Sequence, residues 1–493
     1  MRDIIHERSV VVTRTSYVKG LLWLILLSVL LIAGSGCAIN PVTGQQELML
    51  VSESQEIQLG KELYPNALWS GEGGGGEYKD PALKSYLTSV VTNIHRVSHR
   101  PNLPVDFAVQ NSSVPNAWAI PGHVVITRGL LSAIDNEAEF VYVMGHEIGH
   151  VSARHSAKQM TYGMVGQFLL AGVAIAMSDS EYSDAALAAG SAGAGLILAK
   201  FSRNDELEAD RLGVSYMTTL GYDPRGALSA HRNLENASDQ YARSIGQSKQ
   251  QSSFFSELLA SHPRTSIRLE EIQRIIDETP RTVISGDGTS RQRFQGAVAN
   301  IRRTNTIYLN YYDKAARSLE KNNTEEAMTY IRQAIAQDPG QAPFYALYGN
   351  ILIKQNNLPE AERYFTKALS IDGNYQPALL GMGAIKYAGN RYAESVQYLH
   401  RSLKLFPQDP ASNYFAGMSY YKTGYYKYAL IYLKPFSDAV PKHPRIHAVL
   451  GQCYEQVGDY PSAYNQYGMQ LQVSPNSEAG KLARTRAQAL KMK

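Results

Sequence analysis

The 493-residue sequence predicts a mainly α protein in two parts, an α+β domain followed by an α-solenoid. Two observations carry this reading. From about Tyr308 the chain repeats every 34 residues: Pro339, Gly373, Pro407, Pro441 and Pro475 recur at that spacing, as do Gly349, Gly383, Gly417 and Gly451. Ahead of the repeats, two strand-like runs, Val105 to Val109 and His123 to Thr127, precede an apolar-periodic helical stretch from Glu137 to Met160. A chain of this length is too long for one ordinary core.

The elements follow in order. Residues 1–36 read as a secretory signal of the lipoprotein type. Leu21 to Ala33 is apolar apart from Ser28, Arg2, Arg8, Arg14 and Lys19 precede it, and Gly34-Ser35-Gly36-Cys37 follows. The run is short for a membrane span. Small residues ending in cysteine resemble a lipobox, with Cys37 as the lipidated N-terminus, although Gly34 stands where a leucine-like residue is usual. A retained signal anchor is the alternative. Either way the remainder faces an extracytoplasmic space, the bacterial periplasm. Ala38 offers no obvious inner-membrane retention signal, which favours the outer membrane. With Cys37 carrying lipid, Cys453 has no disulfide partner and is expected to be a small buried residue. Net charge is +4, part of it in the leader, and no basic run or stacking module points to nucleic acid.

The first domain is assigned to residues 37–285. Gly73 to Gly76 is a flexible loop, not a phosphate cradle, because no strand–Lys–Ser/Thr context follows. The strand at His123 to Thr127 is expected to be an edge strand that holds an extended polypeptide. The helix after it carries His146-Glu147-Ile148-Gly149-His150. Positions i and i+4 share a helix face, so both imidazoles reach one metal ion, with a carboxylate directly after the first. Phe140, Val141, Met144, Ile148 and Val151 half bury this helix. Burying two histidines and a glutamate without a partner costs several kcal/mol, a difficulty that a shared metal removes.

Zinc that keeps one position open takes three protein ligands. A third histidine six residues after His150 is excluded, since Ser156 stands there. The segment Phe201 to Asp210 offers carboxylates instead. Glu206 and Asp210 are four apart, so one can bind the ion while the other accepts from the far nitrogen of a ligand histidine. Spacing alone leaves Asp205, Glu206 and Glu208 as rivals. Between the two motifs lie apolar runs from Met164 to Met177 and Ala185 to Ala199, each below the ~20 residues a bilayer requires. They are expected to form a helical hairpin beside the site, as a lid or a membrane-touching surface.

His146 to His150 followed by Ser202-Arg203-x-x-Glu206-x-x-Ala209-Asp210 resembles the HtpX-like zinc metallopeptidases. Asn116 to Gly122, Thr127 to Leu131 and Ser261-His262-Pro263 with Arg268 also match, so the resemblance spans roughly Asn40 to Ile275. It implies a zincin-type α+β metallopeptidase domain and one Zn2+ per chain on His146, His150 and Glu206, which selects Glu206 over its neighbours. Glu147 is then the base that takes a proton from the attacking water and delivers it to the leaving amine. Asp210 supports a ligand histidine. His262 or Arg268 stabilises the oxyanion, or else His262 caps the zinc and holds the enzyme latent.

Thr279 to Arg291, with Pro280, Gly286 and Gly288, reads as the interdomain boundary. Residues 286–307 are assigned to a linker helix, 308–477 to five tetratricopeptide repeats and 478–493 to a capping helix with a polar outer face. Small residues keep the period at Ala327, Ala361, Ser395, Ala429 and Ala463, and Asn356, Asn390, Gly424 and Gly458 mark the turn inside each hairpin, where a left-handed residue is needed. Tyr312, Tyr387, Tyr414 and Tyr421 stand where such solenoids line a concave groove, with about half of the repeat tyrosines assigned to packing.

A peptidase joined to such repeats resembles envelope proteins that attend to outer-membrane protein biogenesis. The expected partners are unfolded or misassembled envelope proteins as substrate, the outer-membrane barrel assembly machinery through the repeats, and the membrane through Cys37. The competing class is a chaperone-like assembly factor with latent protease activity. The complete hydrolytic set, Glu147 included, speaks for the enzyme, and a purely structural zinc would require four protein ligands.

Overall fold

The structure, a computed structural model, describes residues 37–70, 75–164, 201–246, 266–279 and 284–491. The chain opens with an antiparallel pair, β1 (Cys37–Ile39) and β2 (Gln46–Leu48). α1 (Glu53–Trp69) starts on a capping box in which Ser52 and Gln55 satisfy each other's backbone amides. α2 (Pro81–Arg96) is capped by Asp80, with proline at its first position, where no amide is needed.

A three-stranded sheet follows: β3 (Asp106–Gln110), β4 (Ala117–Ile120) and β5 (His123–Thr127), in the order β3-β5-β4. β5 runs parallel to β3 and antiparallel to β4. The strand expected at the edge is therefore the central one, with Val124, Val125 and Ile126 fully buried. The edges belong to β3 and β4. Pro121 and Gly122 reverse the chain, Gly122 at a φ of +91°, and fold 117–120 back onto 123–126.

α3 (Arg128–Ala133) leads to α4 (Glu137–Ser152), which Asn136 caps and which carries the metal motif. The helical run expected to Met160 breaks at Ala153. Arg154 adopts a left-handed φ of +58°, and a new helical stretch begins at residue 155. Tertiary contacts hold the break: Arg154 donates to the Glu56 carboxylate at 2.6 Å and to the Val51 carbonyl at 2.7 Å.

α5 (Arg203–Thr219) begins on a second capping box, Ser202 with Asp205. It packs tightly along α4 because small residues face each other there. A Cβ on Gly145 would lie 3.3 Å from Gly213 Cα, and one on Gly149 would lie 3.3 Å from Ala209 Cα. That close approach sets Glu206 and Asp210 opposite the two histidines. α6 (Gly226–Ser244), α7 (Ser266–Glu278) and α8 (Arg291–Ile307) complete this part. α8, expected as a linker, is instead part of the first core. Its Phe294, Val298 and Ile301 are fully buried in one cluster with Phe107, Phe140 and Leu131.

A π-helical turn, Tyr308–Tyr312, carries α8 directly into the repeats. These are the pairs α9 (Asp313–Glu320) with α10 (Thr324–Gln337), α11 (Ala342–Lys354) with α12 (Leu358–Ile371), and α13 (Gln376–Ala388) with α14 (Tyr392–Leu405). α15 (Pro410–Lys422) with α16 (Tyr426–Ala439), α17 (Ile446–Gln456) with α18 (Tyr460–Val473), and a last helix α19 (Glu478–Lys491) follow. The turns inside the hairpins take positive φ at Asn322, Asn356, Asn390, Gly424 and Gly458. Gly383 and Gly417 are glycines for another reason: a Cβ there would come within 2.5 Å of Leu399 and Leu433 on the facing helix.

The four tyrosines assigned to a groove are only partly open. Tyr387, Tyr414 and Tyr421 pack against a cluster that includes Met418, Leu433 and Leu450, and Tyr312 lies 5.6 Å from the Phe344 ring. The solenoid also grips the first domain. Arg128 stacks 3.7 Å above the Tyr308 ring, Trp69 at the end of α1 lies 5.9 Å from Tyr375, and the Gln408 amide donates to Asn66 at 2.9 Å.

Candidate metal centre

α4 and α5 together place His146, His150 and Glu206 with their ligand atoms converging. All three are buried, and they are the one cluster among the described residues able to hold a metal ion. The two Nε2 atoms are 3.1 Å apart, and the Glu206 carboxylate lies 3.4 Å from His150 Nε2 and 3.7 Å from His146 Nε2. Two ligands at zinc distances and tetrahedral angle stand about 3.3 Å apart. The three separations therefore match the edges of a coordination tetrahedron.

The outward-facing nitrogens fix the tautomers. His146 Nδ1 lies 2.9 Å from Asp210, an acceptor, so that nitrogen carries the proton and Nε2 presents its lone pair to the cluster. Asp210 also accepts from the Tyr142 hydroxyl at 2.8 Å and from Arg268 at 2.6 and 2.8 Å. Burial alone would raise the Asp210 carboxyl. The Arg268 guanidinium and the His146 ring outweigh it and hold the group well below the usual carboxylate range. Burial and Asp210 push the Tyr142 phenol up, so it remains a donor. Burial holds the His150 imidazole well below its ordinary value, leaving the ring neutral as a metal ligand must be.

His150 has a partner that the sequence did not reveal. Its Nδ1 lies 2.8 Å from Nδ1 of His155, whose Nε2 lies 3.2 Å from Glu208 and 3.5 Å from Asp205. The rivals of Glu206 are thus directed at His155 rather than at the ion. The one available signal was a histidine five residues after His150, and it acquires meaning only once the chain breaks at Arg154. His150 also stacks on Phe201, ring centroids 4.1 Å apart.

Arg268, expected at the oxyanion, is 4% exposed and engaged with Glu206 at 2.8 Å as well as with Asp210. Its geometry is that of a brace on the ligand carboxylate. Glu147 is buried beside His146 and lines a cleft with Asn116 and Ala117 from the rim of β4, Val143, His231 and Arg268. His262 and the apolar runs after Met164 lie outside the described residues. The set offers two converging imidazoles, an anchored carboxylate and an adjacent Glu147 at the foot of an edge strand, which is equipment for metal-assisted hydrolysis of an extended chain.

Comparison with known proteins agrees with this geometry. The model of Peptidase family M48 matches residues 81–276, and a tetratricopeptide repeat model matches 318–365 and 354–416. The beta-barrel assembly-enhancing protease of Escherichia coli (strain K12) is 27% identical over 346 residues, covering 64% of this chain and 66% of that one. The alignment thus spans just under two thirds of that relative's length. The mitochondrial metalloendopeptidase OMA1 of Arabidopsis thaliana is 33% identical over 139 residues, 28% of this chain and 27% of that one. The metalloprotease YcaL of Escherichia coli (strain K12) is 31% identical over 177 residues, 34% and 61% respectively. Among solved structures, Pseudomonas aeruginosa pilF matches 38% of this chain and 89% of its own at 19% identity, with a TM-score of 0.34.

Proposed function

We propose that this chain, a peptidase family M48 domain followed by tetratricopeptide repeats, is a zinc-dependent endopeptidase of the bacterial envelope that acts in outer-membrane protein quality control and assembly. The observation that carries the reading is the convergence of His146, His150 and Glu206 at tetrahedral spacing beside Glu147. The 27% identity to a beta-barrel assembly-enhancing protease supports the process and the compartment. The apolar run Leu21 to Ala33 with Gly34-Ser35-Gly36-Cys37 after it supports lipid attachment, with the outer membrane favoured.

A zinc ion held by these three ligands would lower the pKa of water from 15.7 towards roughly 7 and polarise the scissile carbonyl. Glu147 accepts the proton released by the attacking water and returns it to the leaving amine. Asp210 and His155 hold the two imidazoles in the tautomers that direct Nε2 inward. Arg268 fixes the Glu206 carboxylate. β4 offers its outer edge to an extended substrate, and His262 is assigned either to the oxyanion or to a latch over the metal. The repeats recruit unfolded envelope proteins or the barrel assembly machinery.

The test is metal analysis with digestion of an unfolded outer-membrane protein by wild type and Glu147→Gln. One zinc per chain is expected in both. Loss of a general base lowers turnover by about 10²–10⁴-fold. Undiminished cleavage by Glu147→Gln would refute the reading.

A further inference from the structure

The repeat register provides an internal control, because each position has four counterparts 34 residues apart. At the first position of one such trio stand Asn323, Asn357, Arg391 and Asp459. The second position holds Glu326, Glu360, Glu394 and Ser462, and the third Thr329, Arg363, Gln397 and Asn465. All twelve are polar. In the fourth repeat the same three positions are Tyr425, Tyr428 and Ile431, and they are 60%, 53% and 60% exposed. On α16 the core is met by Ala429, Leu433 and Phe436; the trio lies outside that buried cluster, and its ring contact with α15 is that of Tyr420 against Tyr425 and Tyr428.

The substitution also costs local stability. Asn323, Asn357 and Asp459 each accept the backbone amide three residues on and cap their helix, whereas Arg391 and Tyr425 make no such bond. A missing cap destabilises a helix. Arg391 keeps that position polar, whereas Tyr425 puts a ring there that is 60% exposed.

The surroundings are ordered and basic. Tyr420 stacks on Tyr428 at 5.3 Å and on Tyr432 at 5.7 Å, and His400 lies 3.0 Å from the Tyr432 hydroxyl, so the rings form a fixed ridge. From Tyr420 to Lys442 the chain carries six tyrosines and four lysines against one aspartate. Lys422, Lys427 and Lys434 are exposed and form no ion pair among the described residues.

We propose that this ridge of the fourth repeat, Tyr425, Tyr428 and Ile431 flanked by Lys427 and Lys434, docks on the surface of an anionic phospholipid membrane. Tyrosine seats its ring in the headgroup layer with the hydroxyl towards water, and lysines beside it attract lipid phosphate. Ile431 and Lys434 border a depression shared with Leu430, Asp438 and Tyr454, while Tyr425, Tyr428 and Lys427 stand exposed outside it, an open surface with excess positive charge that complements anionic headgroups. No helix among the described residues is long and apolar enough to cross a membrane, so the contact is interfacial.

The experiment uses the full chain with Cys37→Ser in every arm, so that no lipid at that position contributes. Thr423→Cys carries an environment-sensitive dye, while buried Cys453 remains unlabelled. The dye should shift to the blue with vesicles of phosphatidylcholine and phosphatidylglycerol, and not with phosphatidylcholine alone. Binding should weaken roughly fivefold per lysine neutralised in Lys427→Gln and Lys434→Gln. Tyr425→Asn restores the cap of the first two repeats, so it should weaken vesicle binding while raising the melting temperature. Equal shifts on both vesicles, a response only to added protein, or loss of binding with a fall in melting temperature would overturn the proposal.

Discussion

Replacing His155 with phenylalanine isolates the hydrogen bond behind one of the proposed metal ligands. With His150 Nε2 turned to the ion, its Nδ1 carries the proton and donates across 2.8 Å to His155 Nδ1. His155 in turn donates from Nε2 to Glu208 at 3.2 Å. Both rings are essentially buried, so water does not replace the lost partner. Phenylalanine fills a similar volume and keeps an aromatic face towards Phe201, which lies 5.8 Å from His155. The deficit is therefore the hydrogen bond and not a cavity. Loss of such an outer partner weakens metal binding about 10–100-fold, or about 1.4–2.7 kcal/mol. The cost of leaving a buried donor unpaired, about 1–3 kcal/mol, is of the same size. Asparagine at 155 brings an acceptor oxygen near the position of Nδ1 but does not reach Glu208. It should recover affinity to within about tenfold of wild type. The assay is competition for zinc with a chromophoric chelator at neutral pH, alongside thermal melts of the metal-free proteins. Wild-type affinity in His155→Phe, or no recovery in His155→Asn, would refute the reasoning.

Other outcomes follow from the same geometry. Glu206→Gln should lose zinc far more than Glu208→Gln, because Glu208 faces His155; equal losses would remove Glu206 from the ligand set. Asp210→Asn breaks a buried ion pair with Arg268 and should destabilise the metal-free first domain by about 3–5 kcal/mol. The folded carboxyl is held below its unfolded value, so its contribution is complete above roughly pH 4 and lost as pH falls further. The gap in melting temperature between Asp210→Asn and wild type should accordingly narrow in acid, and a gap that widens there would contradict the assignment. Trp69→Ala removes a half-buried ring from the junction with Tyr375; small-angle scattering should show a larger radius of gyration, with zinc content unchanged.

Much of the site was legible because it is written in helical spacing. His146 with His150, and Glu206 with Asp210, are each four apart, and the 34-residue period announced the repeats directly. What escaped depends on contacts distant in sequence. The break at Arg154 is held by Glu56, nearly a hundred residues away, and only that break turns His155 towards His150. The role of α8 as core rather than linker rests on Phe294 meeting Phe140. β4 was missed because a four-residue strand has too few positions for a period to register, and with it the edge was assigned to the wrong strand. The solenoid tyrosines stood in the right places for a groove, but alternation cannot tell a ring facing a ligand from one wedged between helices.

The junction between the two parts changes what recruitment by the repeats can mean. A flexible tether raises local concentration and delivers any stretch of a captured chain to the cleft. Here α8 runs through the π-turn directly into α9, and contacts that include Arg128 on Tyr308, Trp69 by Tyr375 and Asn66 at Gln408 hold the solenoid against the first domain. Under the proposed recruitment by the repeats, a polypeptide held there would be measured off rather than merely gathered. The bond presented to Glu147 would then lie at a set number of residues from the held segment, since an extended chain advances about 3.3 Å per residue. A protease built that way would act as a gauge: a substrate with a free end too short to reach the cleft would be gripped and spared, and one with a longer tail cut.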